Sequence, residues 1–335
     1  MTTQFVSRLT DGGTFEIAEA PIPVAGDDGI VVAVSSCGVC GSDLGIVRSS
    51  ANFAGKTLGH EFSGRVVAVG KAVRGISEGD RVTANPMVDL IGLGRNPGAF
   101  AQYLRIPSPV LGRNVFKLPD TIDDDSGALV EPLTVGLHAV NRSGVKSGEK
   151  VAIFGAGPIG LCVLAALRAR GVDGILSIDP SPKRRTFAQA MGASAVHDPA
   201  TGGSVGFVAS HFGSVPFPYE KEAVAQADVV FDCAGVQAVL DEAVTALGHG
   251  GRLVLVADPH EIAVPARLVM LHELSVIGAV GYEDEFEEAI GMLASGALDL
   301  SPLVTHRYPL ERIEDAFAMQ SNAAEAGKVL VQARS

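Results

Sequence analysis

Two rhythms of apolar and polar positions divide the chain. Val31–Val34, Phe62–Val69 and Arg81–Ala84 are short β-branched runs, and Gly70, Gly75 and Gly79 break the segments between them. This pattern predicts a compact, barrel-like β domain up to about residue 140. From Lys150 the rhythm changes to apolar strands alternating with helical stretches. Val151–Phe154, Ile175–Ile178, Val229–Asp232, Leu253–Val256 and Val276–Ile277 read as strands, with helices over Leu161–Arg170 and Arg184–Met191. Such alternation predicts βαβ units on a parallel sheet, so the fold class is α/β. Asp198 to Tyr219 is rich in Gly, Ser and Pro and reads as a surface loop. The chain ends with amphipathic segments, for example Phe286–Leu293, and a final strand over Lys328–Gln332.

Composition narrows the function classes. A length of 335 residues suggests about two domains. The 26 basic and 38 acidic residues leave a net charge of −12, which argues against nucleic acid or an anionic membrane as main partner. Val151 to Leu167 is uncharged and approaches the length of a membrane span, but Gly155, Gly157, Pro158 and Gly160 suit a turn better than a spanning helix. Four cysteines in such a chain do not make a disulfide framework. The opening MTTQFVSRLTDGG lacks a basic n-region followed by an apolar h-region, so a cytoplasmic protein is expected.

Gly155-Ala-Gly157-Pro158-Ile159-Gly160 is a G-x-G-x-x-G between a predicted strand and a predicted helix. The first glycine permits a tight turn, the second lets a pyrophosphate approach the backbone, and the third allows close helix–strand packing. Asp179, at the end of the next strand, could accept hydrogen bonds from ribose hydroxyls and repel a 2′-phosphate, which favours NAD over NADP. Arg184 tempers that preference, since it could pair with phosphates, flank the adenine or be solvated.

The first half carries Cys37-Gly-Val-Cys40-Gly-Ser42-Asp43, then Gly59-His60-Glu61, then Glu131-Pro-Leu. Thiolate, imidazole and carboxylate together suit zinc. Taken alone, Cys37 and Cys40 could equally form half a zinc knuckle or a redox dithiol. A second C-x-x-C is missing, and Cys162 and Cys233 lie among apolar neighbours in the βαβ half.

The order C-G-V-C-G-S-D, G-H-E, E-P-L, G-A-G-P-I-G and aspartate resembles the zinc-dependent medium-chain dehydrogenases, most closely the sorbitol (polyol) and threonine dehydrogenase branch. The similarity runs from about residue 5 to the end. It implies a Rossmann doubly wound parallel sheet over residues 144–281 and a discontinuous GroES-like β-barrel catalytic domain over 1–143 and 282–335. It implies that Cys40 and His60 ligate a catalytic zinc, with Glu61 binding zinc or exchanging with water and Glu131 nearby, directly or through water. Ser42 matches the hydroxyl that relays the substrate proton, and Asp43 the carboxylate that orients the histidine. Ile159, Asp179, Arg184 and the turns at Val256-Ala257 and Val280-Gly281 match cofactor contacts. Homo-oligomerisation, as dimer or tetramer, is also implied.

The reaction expected from this resemblance is oxidation of an alcohol by NAD. A zinc with an open position lowers the pKa of an alcohol, Ser42 takes the proton, and hydride passes to the nicotinamide. The sequence departs from the family pattern in three places. Thr83–Gly98 holds neither Cys nor His, so one catalytic zinc and no structural zinc is expected. Gly45 stands where a proton-relaying histidine often sits, and Gly281 where the polyol branch has arginine. Leu44, Ile46, Val47, Val88, Leu90 and Ile91 would give an apolar pocket, pointing to a secondary or cyclic alcohol with few hydroxyls. The competing readings are a polyol dehydrogenase, a metal-free quinone or enone reductase, and a non-catalytic cofactor-binding sensor or structural protein.

Overall fold

A computed structural model describes residues 3–258 and 262–333. The strands run β1 (Thr3–Leu9), β2 (Phe15–Pro21), β3 (Gly29–Gly38), β4 (Glu61–Val69), β5 (Arg81–Ala84), β6 (Tyr103–Pro107) and β7 (Val115–Lys117). They continue as β8 (Val151–Phe154), β9 (Leu176–Ile178), β10 (Ala195–His197), β11 (Ser214–Val215), β12 (Val224–Ala225), β13 (Ala227–Asp232), β14 (Leu247–Leu255) and β15 (Ser275–Gly278). The last two are β16 (Val304–Pro309) and β17 (Lys328–Gln332). The chain divides into two compact units, residues 1–131 with 284–335, and residues 132–283. The first change of unit falls near the start of the helix Val130–Ser143, whereas the sequence reading placed it after residue 143.

The first unit is built on a sheet ordered β16-β17-β3-β4-β5-β7, with β6 also paired to β3, and a separate β1-β2 hairpin. β3 is buried along nearly its whole length and carries the centre of this core with Phe62, Phe100 and Leu104. Its antiparallel partners β17 and β4 come from opposite ends of the chain. This pairing sets the functional residues side by side.

The second unit is a six-stranded parallel sheet, β10-β9-β8-β13-β14-β15, with the strand order reversing at β8/β13. That is the doubly wound order whose ligands sit beyond the carboxyl ends of the strands. The sequence departs from expectation at residues 198–219. Part of that stretch is the helix Ser204–Phe212, in which Ser204 and Val208 are buried and Val205, Phe207 and Phe212 pack on the core. Apolar residues at helical spacing prevail there over flanking Gly, Ser and Pro. No helix among the described residues is long and apolar enough to cross a membrane, and Val151–Leu167 is a strand, a turn and a helix.

Phe62 is fully buried in β4, immediately after the candidate site residues His60 and Glu61. Phe62→Ala is expected to destabilise the first unit by about 3–5 kcal/mol. Equilibrium denaturant unfolding with a probe in that unit checks the figure.

Candidate functional site

The ends of two paired strands deliver the donor atoms. Gly38 at the end of β3 lies opposite Glu61 at the start of β4, with His60 one residue before and Cys40 two residues beyond. Cys40 caps the helix Gly41–Arg48. One ligand atom from each of Cys40, His60 and Glu61 falls within 4.8 Å of the others.

Asp43 binds this cluster together from the first turn of that helix. Its Oδ2 accepts a hydrogen bond from the Cys40 backbone N–H at 3.0 Å, and its Oδ1 lies 3.5 Å from His60 Nδ1. The second contact is long for a hydrogen bond but close for electrostatics. It favours the proton on Nδ1 and leaves Nε2 as the donor atom. Burial alone would depress the His60 imidazole, yet the Asp43 carboxylate and the Cys40 sulfur outweigh it and hold it well above its usual value. Ser42 Oγ lies 3.4 Å from His60 Nε2, at the exposed side of the cluster.

Glu61 is fully buried and grips Lys328 of β17. The Lys328 ammonium donates to Glu61 Oε1 at 2.7 Å and Oε2 at 2.6 Å, and to the Val39 carbonyl at 3.3 Å. Gly38 makes room for this pair, because a Cβ there would stand 2.1 Å from Glu61 Oε2. Sequence reasoning missed both Lys328 and Gly38. The sulfur of Cys40, the imidazole of His60 and the carboxylate of Glu61 make a mixed S/N/O donor set of the kind that suits zinc.

Cys37 stays outside the cluster. Its thiol is buried, burial together with Asp43 and Glu61 pushes its pKa well up, and its Sγ faces the Gly38 carbonyl. Glu131 is buried near the start of its helix and stands outside the three-donor group. Of the apolar residues expected around a substrate, Ile91 is core, Leu44, Ile46 and Val47 pack against that core, and Val88 is exposed. Four of the six thus belong to the core or pack on it, while Val88 is exposed and Leu90 caps the short helix Pro86–Asp89 in a left-handed conformation.

In the second unit the fingerprint sits where a dinucleotide needs it. Register partners Ile178, Phe154, Asp232, Leu255 and Gly278 form one line across β9, β8, β13, β14 and β15. Gly155, Asp179, Val256-Ala257 and Val280-Gly281 thus all follow the same carboxyl edge of the sheet. Gly155 has φ +99°, and a Cβ on Gly160 would stand 1.9 Å from the Gly155 carbonyl, so neither tolerates a side chain. A Cβ on Gly157 would meet only the Arg184 guanidinium, at 3.6 Å, so the turn leaves room and a positive charge for phosphate. Pro158 and Ile159 open the helix Pro158–Ala169 behind it.

Asp179 braces this turn. Its carboxylate accepts from the Ala156 N–H and the Ser181 N–H, both at 2.8 Å, and each oxygen retains a lone pair for a hydroxyl. Asp232, which sequence reasoning missed, plays the same part after β13 by accepting from the Ala234 and Gly235 amides. The Val256 and Ala257 amides donate to the Asp232 carbonyl, and Val280 is 87% exposed.

The buried Glu61–Lys328 pair yields a stability prediction. Lys328→Met strands a buried carboxylate and is expected to cost the metal-free protein about 3–5 kcal/mol. Glu61→Leu combined with Lys328→Met should recover most of that loss in denaturant unfolding.

Comparison with known proteins agrees with this geometry. Residues 26–120 match the alcohol dehydrogenase GroES-like domain, and residues 158–295 match the zinc-binding dehydrogenase domain. The chain is 32% identical to (R,R)-butanediol dehydrogenase of Bacillus subtilis, over 90% of this chain and 92% of that protein. It is 33% identical to sorbitol dehydrogenase of Ovis aries, over 91% of this chain and 90% of that protein. A solved structure from Sinorhizobium meliloti 1021, described as a zinc-binding dehydrogenase bound to NADP, superposes with a TM-score of 0.83 at 30% identity, covering 99% of this chain and 100% of that one. This chain belongs to the zinc-dependent medium-chain alcohol dehydrogenases, in the sorbitol and polyol branch of that family.

Proposed function

We propose that this enzyme oxidises a secondary alcohol with NAD, using one zinc ion per chain held by Cys40, His60 and Glu61. The observation that carries the reading is the trio of sulfur, nitrogen and oxygen donor atoms that lie within 4.8 Å of one another. Zinc bound there supplies a Lewis acid that lowers the pKa of a substrate hydroxyl, and NAD supplies the hydride acceptor. The protein's own groups do the rest. Asp43 fixes the His60 ring, Lys328 holds the Glu61 carboxylate in place, and Glu131 offers a further carboxylate at longer range. Ser42, exposed beside His60, accepts the substrate proton. Proton exit from Ser42 runs through water, the cofactor ribose or Glu61, because Gly45 carries no relay group; open space surrounds the position where its Cβ would be.

The cofactor preference rests on Asp179. A carboxylate at the end of β9 complements the ribose diol and repels a 2′-phosphate. Arg184, placed by Gly157, serves the pyrophosphate in this reading and not a 2′-phosphate. The substrate is a small secondary alcohol. A diol or polyol is the second reading, favoured because the relatives are butanediol and sorbitol dehydrogenases and because packing absorbs most of the apolar residues once expected to line the pocket. Gly281 remains the position expected to set how many hydroxyls are tolerated.

The same reading makes the protein a cytoplasmic homo-oligomer. The four free cysteines suit a reducing compartment. β15 is an unpaired sheet edge with Val276 40% exposed, a template for pairing with a second copy. The thiols of Cys162 and Cys233 take no part; burial, with Asp232 beside it, pushes the Cys233 pKa well up.

Elemental analysis of protein never exposed to chelator should find about one zinc per chain. Cys40→Ser should lose the metal and bring alcohol-dependent reduction of NAD to background. Retained zinc with full activity in that variant would remove Cys40 from the site. Asp179→Ser should shift the ratio of kcat/KM for NADP over NAD upward by about tenfold or more. An unchanged ratio would place cofactor choice elsewhere. A panel of secondary, cyclic and polyol alcohols decides between the substrate classes.

A further inference from the structure

A cavity lies in the first unit, lined by none of the zinc donors. Alternation along β1 puts Gln4, Val6 and Arg8 on one face of the hairpin. The bridge between Val6 and Ala101 brings the start of β6 alongside, so Tyr103 and Arg105 continue the same surface. The segments 55–57 and 95–97 close the sides, and together they line a cavity of about 400 Å³. Four cationic side chains, Arg8, Lys56, Arg95 and Arg105, line it, and no Asp or Glu does.

That charge pattern runs against the rest of the chain. The protein carries 38 acidic and 26 basic residues, and elsewhere its arginines commonly sit on carboxylates, as Arg81 does on Asp124 and Arg252 on Glu149. Arg105 is likewise engaged by Asp28 at 2.8 Å. Among the described residues, no carboxylate lies within ion-pair distance of Arg8, Lys56 or Arg95, although Glu16 stands opposite Arg8 in the hairpin register. Three cations without a carboxylate partner thus share one concave surface with Val6, Ala101 and Tyr103, and a bound anion would relieve the repulsion among them.

We propose that this cavity binds a small polyanion, an organic phosphate or polycarboxylate, through Arg8, Lys56 and Arg95. Arginine forks and a lysine point charge are the groups that recognise both chemistries. The site would also communicate with the zinc donors through the backbone. Lys56 is four residues before His60, on a segment stitched to its neighbours: Leu9 N–H donates to the Lys56 carbonyl, Gly98 N–H to Thr57, and Phe100 N–H to Leu58. An anion joining Lys56 to Arg95 therefore clamps the two strips that deliver His60.

The test uses the full-length, zinc-loaded protein saturated with nicotinamide cofactor, so that the phosphate turn at Gly155–Gly160 is already filled. Inorganic pyrophosphate and tricarballylate are titrated separately by calorimetry. The expected result is one saturable site per chain for at least one probe, weakened about tenfold or more in Lys56→Gln/Arg95→Gln. Lys71→Gln/Arg113→Gln, which removes the same charge elsewhere, should bind as the parent does. The tighter probe assigns the ligand to phosphate or carboxylate chemistry. Both substituted positions of the first double variant are exposed, so its melting temperature should match the parent. Failure of both probes to saturate, or equal weakening in both double variants, would overturn the proposal.

Discussion

The buried ion pair between Lys328 and Glu61 is the contact on which the metal-binding half of this enzyme depends. An isolated carboxylate in the core of a β-barrel would be neutralised or expelled. Here the ammonium holds both carboxylate oxygens and a backbone carbonyl at once, and Gly38 leaves the space in which the pair sits. The pairing of β17, β3 and β4 makes that possible, since it brings the last strand of the chain against the strand pair bearing Cys40 and His60. The fold therefore supplies the charge that lets a negatively charged donor cluster remain buried.

The second unit solves a different electrostatic problem with backbone alone. Five of its six strands end in one register line, so the glycine turn and the loops after β9, β13, β14 and β15 open on a common edge. Two buried aspartates shape that edge by accepting amide hydrogen bonds, Asp179 for the glycine turn and Asp232 for the loop after β13. The side chains facing the ligand can then be few, because the amides and the helix start provide much of the recognition.

Local signals were the legible part of both units. The glycine spacing at 155–160 and the aspartate at the end of the following strand were readable because the chemistry dictates that spacing, whereas Cys40, His60 and Glu61 were ambiguous by themselves and came together as a ligand set only through the family resemblance. Lys328 was not legible, since its partner is 267 residues away and a lone lysine in an apolar strand reads as a strand edge. Gly38 looked like one more glycine in a rich background, although its side is closed by a carboxylate. The helix over Ser204–Phe212 was hidden by turn-forming residues around it, and the packing of Leu44, Ile46, Val47 and Ile91 in or on the first unit's core is not legible from their apolar character alone. In each case the deciding term was long-range packing, which no local pattern encodes.

X-ray absorption at the zinc edge of the freshly purified enzyme tests the central claim most directly. One sulfur at about 2.3 Å with the remaining ligands nitrogen or oxygen at about 2.0–2.2 Å is the signature of Cys40, His60 and Glu61 around a single ion. A shell of two or more sulfurs, which would bring in Cys37 or a structural site, or a protein that holds no zinc at all, would contradict the account.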